Sequence, residues 1–198
     1  MRSIPAVQQA VRRLVPNPHH RRRSFETTLG GYVVRRPMMQ KSELLAAFDA
    51  AWDRPWESIM SALEGVSEEE AVFQHPAFSE EVSEAGLPLP GTVLWYVTHL
   101  AACYRMYKAA IELRPGAPPE IEQVPSSLSA AIADLKQTRD ELRHVIANLS
   151  EHELDDELHW GNSIVDLVRG IVRHDAWHGG QIAIVRRLYR MREACEKN

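Results

Sequence analysis

Cysteine is almost missing from this chain: 198 residues hold two, Cys103 and Cys195, 92 positions apart. A small secreted domain stapled by disulfides needs several closely spaced pairs, so both are read as reduced thiols. No run of 18 apolar residues occurs, which excludes a membrane-spanning helix of ordinary length. An N-terminal apolar stretch of the length a secretory signal requires is also lacking, and the expected location is the cytoplasm. The strict apolar–polar alternation of half-buried strands is not found, nor is any internal repeat or low-complexity tract. Proline and glycine are scarce where they would do damage. Most of the twelve prolines and ten glycines lie at the ends or in three short stretches between long segments of 3.6-residue periodicity, which describes helices and their connections.

The charge is uneven along the chain. Residues 1 to 41 carry nine basic side chains against one acid, Glu26, whereas the remainder carries 14 basic and 26 acidic ones. A body with a balance of −12 is a poor partner for nucleic acid. The arm holds Pro16, Pro18, Gly30, Gly31 and Pro37 and no sustained apolar stripe, so residues 1–38 are expected to form a poorly ordered basic extension and residues 39–198 the folded domain. Three readings of the arm stay open: an upstream start with Met38 or Met39 as the alternative, a functional basic tail, or an Arg-rich targeting segment.

Within the body, four segments show the i, i+3, i+4, i+7 spacing that buries one helix face. The first starts at Ser42 with Leu45, Phe48, Trp52, Ile59 and Leu63 inward, bends at Pro55 and stops at Gly65. Ser67 with Glu70 has the form of a capping box for a short turn. The second runs from Thr92 to Leu113, with Thr98, Arg105 and Glu112 outward and Tyr96, His99, Cys103, Met106 and Tyr107 inward. A third begins at Ser126 or Ser127 with a stripe from Leu128 to Leu149 and a charged opposite face. Ser150 and Glu153 have the form of a second capping box, and the last segment, Ile164 to Arg192, places Ile171, His174, His178, Ile182, Val185 and Leu188 on one side. These features predict an all-α four-helix bundle.

Of nine histidines, six fall in the arm, in connections or on the polar face of the third helix. The other three face inward. His174 and His178, four apart, can converge on one ion, and leaving both imidazoles unpartnered on an apolar stripe would cost about 1 to 3 kcal/mol each. His99, at mid-helix, supplies a third ligand, giving a three-histidine site with open positions. The bland alternative is a set of hydrogen-bonded core histidines. Cys103, one turn after His99, could be a fourth ligand or a reactive thiol, although small buried cysteines usually serve packing. Asp175 gives His174-Asp-Ala-Trp-His178 a likeness to the metalloprotease pattern H-E-x-x-H, but the acid is one methylene shorter and nothing else suggests a peptide cleft. Two adjacent glycines inside a helix cost about 1 kcal/mol each, which implies a close neighbour at Gly180, either substrate or the second helix. Gln181 lies on the face of His174 and could hydrogen-bond a ligand imidazole or serve only as a helix contact.

Trp95-Tyr-Val-Thr-His99-Leu and His174-Asp-Ala-Trp-His178-Gly-Gly-Gln181-Ile together resemble the DinB/YfiT-like metalloenzyme family, whose members end in H-x-x-x-H-x-G-Q-[IL]. The resemblance spans most of Met39 to Arg192 and leaves out the arm. It implies a four-helix bundle, commonly dimeric, with nickel or zinc on His99, His174 and His178. The family's frequent Glu after the first histidine of the pair is Asp175 here, which leaves that carboxylate without a carried-over role. Surplus aromatics at Trp52, Trp56 and Trp177 are candidates for a homodimer interface.

Some members of that family are thiol S-transferases or isomerases, so the resemblance implies a metal-dependent transfer of a low-molecular-weight thiol to a small electrophilic substrate. Three neutral imidazoles leave the cation its charge, which suits that chemistry. The same site could activate water for hydrolysis, or the protein could be a non-catalytic metal-binding stress-response module. Sequence assigns no catalytic residue.

Overall fold

The computed structural model describes residues 40–76, 88–114, 125 and 127–196; the basic arm and most of the two Pro-rich connections lie outside these residues. Six α-helices are present among them: α1 Lys41–Asp53, α2 Ile59–Leu63, α3 Glu68–Val72, α4 Val93–Leu113, α5 Leu128–Asn148 and α6 Ile164–Glu196. A 3₁₀ turn, His152–Asp155, links α5 to α6, and no strand occurs among the described residues.

The starts of the long helices follow from their caps. Thr92 accepts the Trp95 N–H at 3.1 Å and Ser127 accepts the Ala130 N–H at 3.2 Å, each satisfying a donor that the first helical turn cannot. For α1 the cap is Gln40 rather than Ser42, and its N–H donates to Glu43 at 3.2 Å. Ser150 and Glu153 do engage, but what they start is the 3₁₀ turn, with the Ser150 N–H and hydroxyl donating to Glu153 at 2.8 and 2.6 Å.

Pro55 breaks the first helix rather than bending it. Its ring forces Arg54 into extended backbone (ψ 130°), and Trp56 takes a positive φ of 75°. The chain restarts at Ser58, which caps α2 by exchanging hydrogen bonds with Ser61 at 3.1 and 3.2 Å. Gly65, at φ 68°, ends α2 as its sequence position suggested. Ser67 caps α3 through the Glu70 N–H at 3.0 Å, but the Glu70 side chain does not reach back. It turns inward to Arg186 on α6 at 2.9 Å, and Arg186 also donates to the Ala62 carbonyl at 2.6 Å.

The four long helices α1, α4, α5 and α6 make the bundle, with α4 packed chiefly on α5 and α6 on α1, α2 and α4. Phe48, Leu100, Tyr104, Leu135, Leu142, Ile146, Ile164 and Ile171 are all fully buried between them. Each contributes about 1.5 to 3 kcal/mol relative to exposure. Charged side chains also enter this core, among them the Glu70–Arg186 pair. Arg139 on α5 is buried with its guanidinium 4.6 Å from the Phe48 ring and 5.0 Å from the Trp52 ring, and it pairs with Asp49 at 2.7 Å. Trp52 is therefore part of the core edge, not a free interface residue. Trp56 and Trp177, 94% and 64% exposed, remain on the surface.

Candidate metal centre

Seven residues after its cap, α4 presents His99 to the bundle interior, where the two-turn ladder of α6 brings His174 and His178 across from it. His99 and His178 are buried and His174 is half-buried. The three Nε2 atoms point at one another: His99 to His174 is 3.4 Å and His174 to His178 is 3.0 Å. One ligand nitrogen from each lies within 4.8 Å of the others.

That arrangement is hard to satisfy from within. A neutral ring nitrogen carries either one N–H or one lone pair, so three facing a common point cannot all pair with each other. A cation that takes all three lone pairs removes the conflict. Tetrahedral ligation at about 2.0 to 2.1 Å separates ligand nitrogens by about 3.3 Å, close to the spacing already present. The protonation states agree with ligation. Burial, followed by the neighbouring imidazoles, pushes His99 down to about 3 and His174 to about 4. Burial also takes His178 down to about 4, with Gln181 opposing. All three are neutral at pH 7 and their lone pairs are available. The residues fit a divalent transition metal, and the three-histidine cluster could hold one.

The surroundings sort the other sequence-derived candidates. Cys103 is buried with its Sγ 3.6 Å from His99 Nε2, and burial pushes the thiol up to about 12, so it stays protonated at neutral pH. Gln181 lies beside His178. Its Oε1 and the Nδ1 of His178 are both buried without a hydrogen bond among the described residues. Asp175, about 100° round α6 from His174, faces Tyr104 rather than the histidines and is 1% exposed. Burial pushes its carboxyl up to about 7 against the opposing influence of Tyr104 and Arg139.

Gly180 is not beside the cluster. It sits about 200° round the helix from His178, exposed, with nothing within 4 Å of the point an added Cβ would occupy. The packed glycine is instead Gly179, where an added Cβ would meet Ile59 of α2 in ordinary contact, its Cδ1 3.6 Å away; the neighbour is α2 and not α4. Gly180 borders a surface groove of about 1050 Å³ shared with Trp56, Ala183, Arg187 and Met191, which contains none of the three histidines.

Aromatic residues that received no role from sequence frame the centre. Trp95 stacks on His99 with ring centroids 4.9 Å apart and planes within 4°. Tyr96 lies against His178 at 5.4 Å, and Tyr107 meets His174 edge-on at 6.4 Å and Trp160 at 6.5 Å. The Trp95 contact was available in the sequence, since residues four apart on a helix are neighbours. Trp160 comes from a connection, where no periodicity exists to place it.

No curated protein and no solved structure matches the chain. The family model of the DinB superfamily matches residues 47–182, a span that takes in all three histidines and runs from α1 into α6. With a helical bundle, a family match over more than half its length and a three-histidine cluster, the chain belongs to the DinB superfamily.

Proposed function

We propose that this protein is a metal-dependent thiol S-transferase, joining a low-molecular-weight thiol to a small electrophile at His99, His174 and His178. The observation that carries the reading is the convergence of three neutral Nε2 atoms, one of them on the half-buried His174. Nickel or zinc suits this nitrogen donor set. When bound, such an ion supplies a positive charge that lowers the pKa of a thiol at an open coordination position, making a thiolate available near pH 7.

The residues of the chain then divide the work. His99 is held flat by Trp95, and His178 is set between Tyr96 and Gln181. Gln181, beside His178, is the group that would accept from its Nδ1–H, and that bond would fix the tautomer that leaves Nε2 unprotonated. Cys103, protonated and enclosed, does not serve as nucleophile, so the attacking sulfur belongs to the cosubstrate. In the transfer, that sulfur forms a bond to the electrophilic carbon, the leaving group departs with its electron pair, and the thiol proton passes to solvent. We further propose a cytoplasmic homodimer, with the exposed Trp56 and Trp177 as the side chains a second copy would cover.

The test is turnover of metal-loaded protein with bacillithiol, mycothiol, glutathione or coenzyme A and generic electrophiles. Conjugate formation that is lost in His174→Ala and kept in Cys103→Ala supports the reading. Ester or amide hydrolysis without thiol transfer would make it a hydrolase, and silence in both assays a non-catalytic metal-binding protein.

A further inference from the structure

Beside the histidine cluster, three side chains carry polar atoms that the fold seals from solvent. Asp175 is 1% exposed, and neither carboxylate oxygen completes a hydrogen bond among the described residues. Tyr104 is 0% exposed, and its hydroxyl is in the same position. Arg139 is 4% exposed; its Nη2 donates to Asp49 at 2.7 Å and reaches the Phe48 carbonyl at 3.5 Å, but its Nε has no partner among the described residues. These groups are neighbours. The Tyr104 hydroxyl faces Asp175, and the charge of Arg139 acts on both. Trp52 ties the group together, its ring 6.5 Å from that of Tyr104 and 5.0 Å beneath the guanidinium of Arg139.

The inventory of these atoms does not close by itself. A shift of Tyr104 satisfies one carboxylate oxygen and its own hydroxyl. The second oxygen and the Arg139 N–H remain, one acceptor and one donor in the same sealed region. The buried pair Glu70 and Arg186 makes the contrast, because there each charge is already met by the other. Buried polar groups left over in this way are met in native interiors by internal water, which makes about three hydrogen bonds.

We propose that Asp175, Tyr104 and Arg139 enclose an internal water site that joins α6 to α4 and α5 beside the histidine cluster. The resident water accepts from Arg139 Nε and donates to Asp175, while Tyr104 donates to the carboxylate or to the water. A polar chain then runs inward from Asp49, through Arg139 and the water, to Asp175, the residue next to His174. Asp175 is thereby a positioning residue: it fixes the rotation of the α6 turn that carries His174 and His178. The water site stands independently of the proposed reaction; the positioning role rests on metal binding by the three histidines.

A crystal structure of the full chain, at a resolution that shows ordered water, tests the site directly. The expected result is one water within about 3.2 Å of Asp175, Tyr104 and Arg139 Nε. A dry interior with Asp175 bonded directly to Arg139 Nε, or a species other than water in that place, overturns it. Oxygen-17 relaxation dispersion on wild type and Tyr104→Phe, Asp175→Asn and Asp175→Leu gives a second reading. One long-lived water is expected in wild type and Asp175→Asn and is lost in Asp175→Leu. Once wild type is shown to bind nickel or zinc, the affinity of each variant tests the positioning role. Asp175→Leu should weaken binding about tenfold and Asp175→Asn should restore it. Equal affinity in Asp175→Leu and wild type overturns the role and leaves the water site standing. If Asp175→Leu does not fold, the wild-type crystal structure still decides the site.

Discussion

Replacing Gly180 by alanine should stabilise the protein. Glycine inside a helix is about 0.8 to 1.0 kcal/mol less favourable than alanine, because the unfolded chain has more freedom to lose and the helix backbone stays open to water. The position decides whether that gain is realised. Gly180 has an ordinary helical φ, is exposed, and has nothing within 4 Å of where the new methyl would sit. No packing cost opposes the propensity, so the expected gain is about 1 kcal/mol, or about 2 to 4 °C in melting temperature for a chain of this size. Thermal and denaturant unfolding of Gly180→Ala against wild type measure it, with metal content recorded alongside. A fall in melting temperature, or loss of metal, would refute the reasoning by showing that something does approach this backbone. The groove beside Trp56 would then be occupied in solution.

Four further outcomes follow from the structure. Glu70→Ala leaves Arg186 buried and unpaired and should cost about 3 to 5 kcal/mol by denaturant unfolding, whereas Lys136→Ala, at an exposed position on α5, should cost almost nothing. For the metal-free protein, burial lowers the three imidazoles from 6.5 to between about 3 and about 4. Above pH 6.5 they are neutral folded and unfolded, and stability does not change on their account. As the pH falls below 6.5 the unfolded chain takes up protons that the folded one refuses, so stability declines until about pH 3 to 4. Melting curves across that range should show the decline, with a shallower slope in His99→Gln. A chain starting at Met39 should melt within a few degrees of the full chain, and a large drop would show that the arm packs on the body. It should also scatter light as a dimer at micromolar concentration, where a monomeric mass would count against the proposed assembly.

How far the sequence revealed this molecule depended on whether a single helix could decide the question. Thr92 and Ser127 set the starts of α4 and α5 from local chemistry, and the inward histidines followed from the 100° step of their own helices. The bend expected at Pro55 is a break, because the reciprocal cap of Ser58 and Ser61 and the positive φ of Trp56 restart the chain as a separate helix, which the proline alone does not announce. On α6 the expected single stripe included Leu188, which is only half-buried, and omitted Asp175, Arg186 and Tyr189, which are buried. A 33-residue helix packed on α1, α2 and α4 is covered on more than one side, and periodicity shows one side only. The burial of Arg139 is not legible from α5 alone, since its partners Asp49, Phe48 and Trp52 come from another helix. The glycine pair announced a close neighbour without naming it, and Ile59 touches Gly179 rather than Gly180.

Metal content is the most direct measure of the centre. Tag-free protein loaded with nickel or zinc and freed of excess should hold about one ion per chain, His174→Ala or His178→Ala should hold none stoichiometrically, and Cys103→Ala should match wild type. Undiminished metal in the His99→Ala, His174→Ala, His178→Ala triple variant would contradict the site.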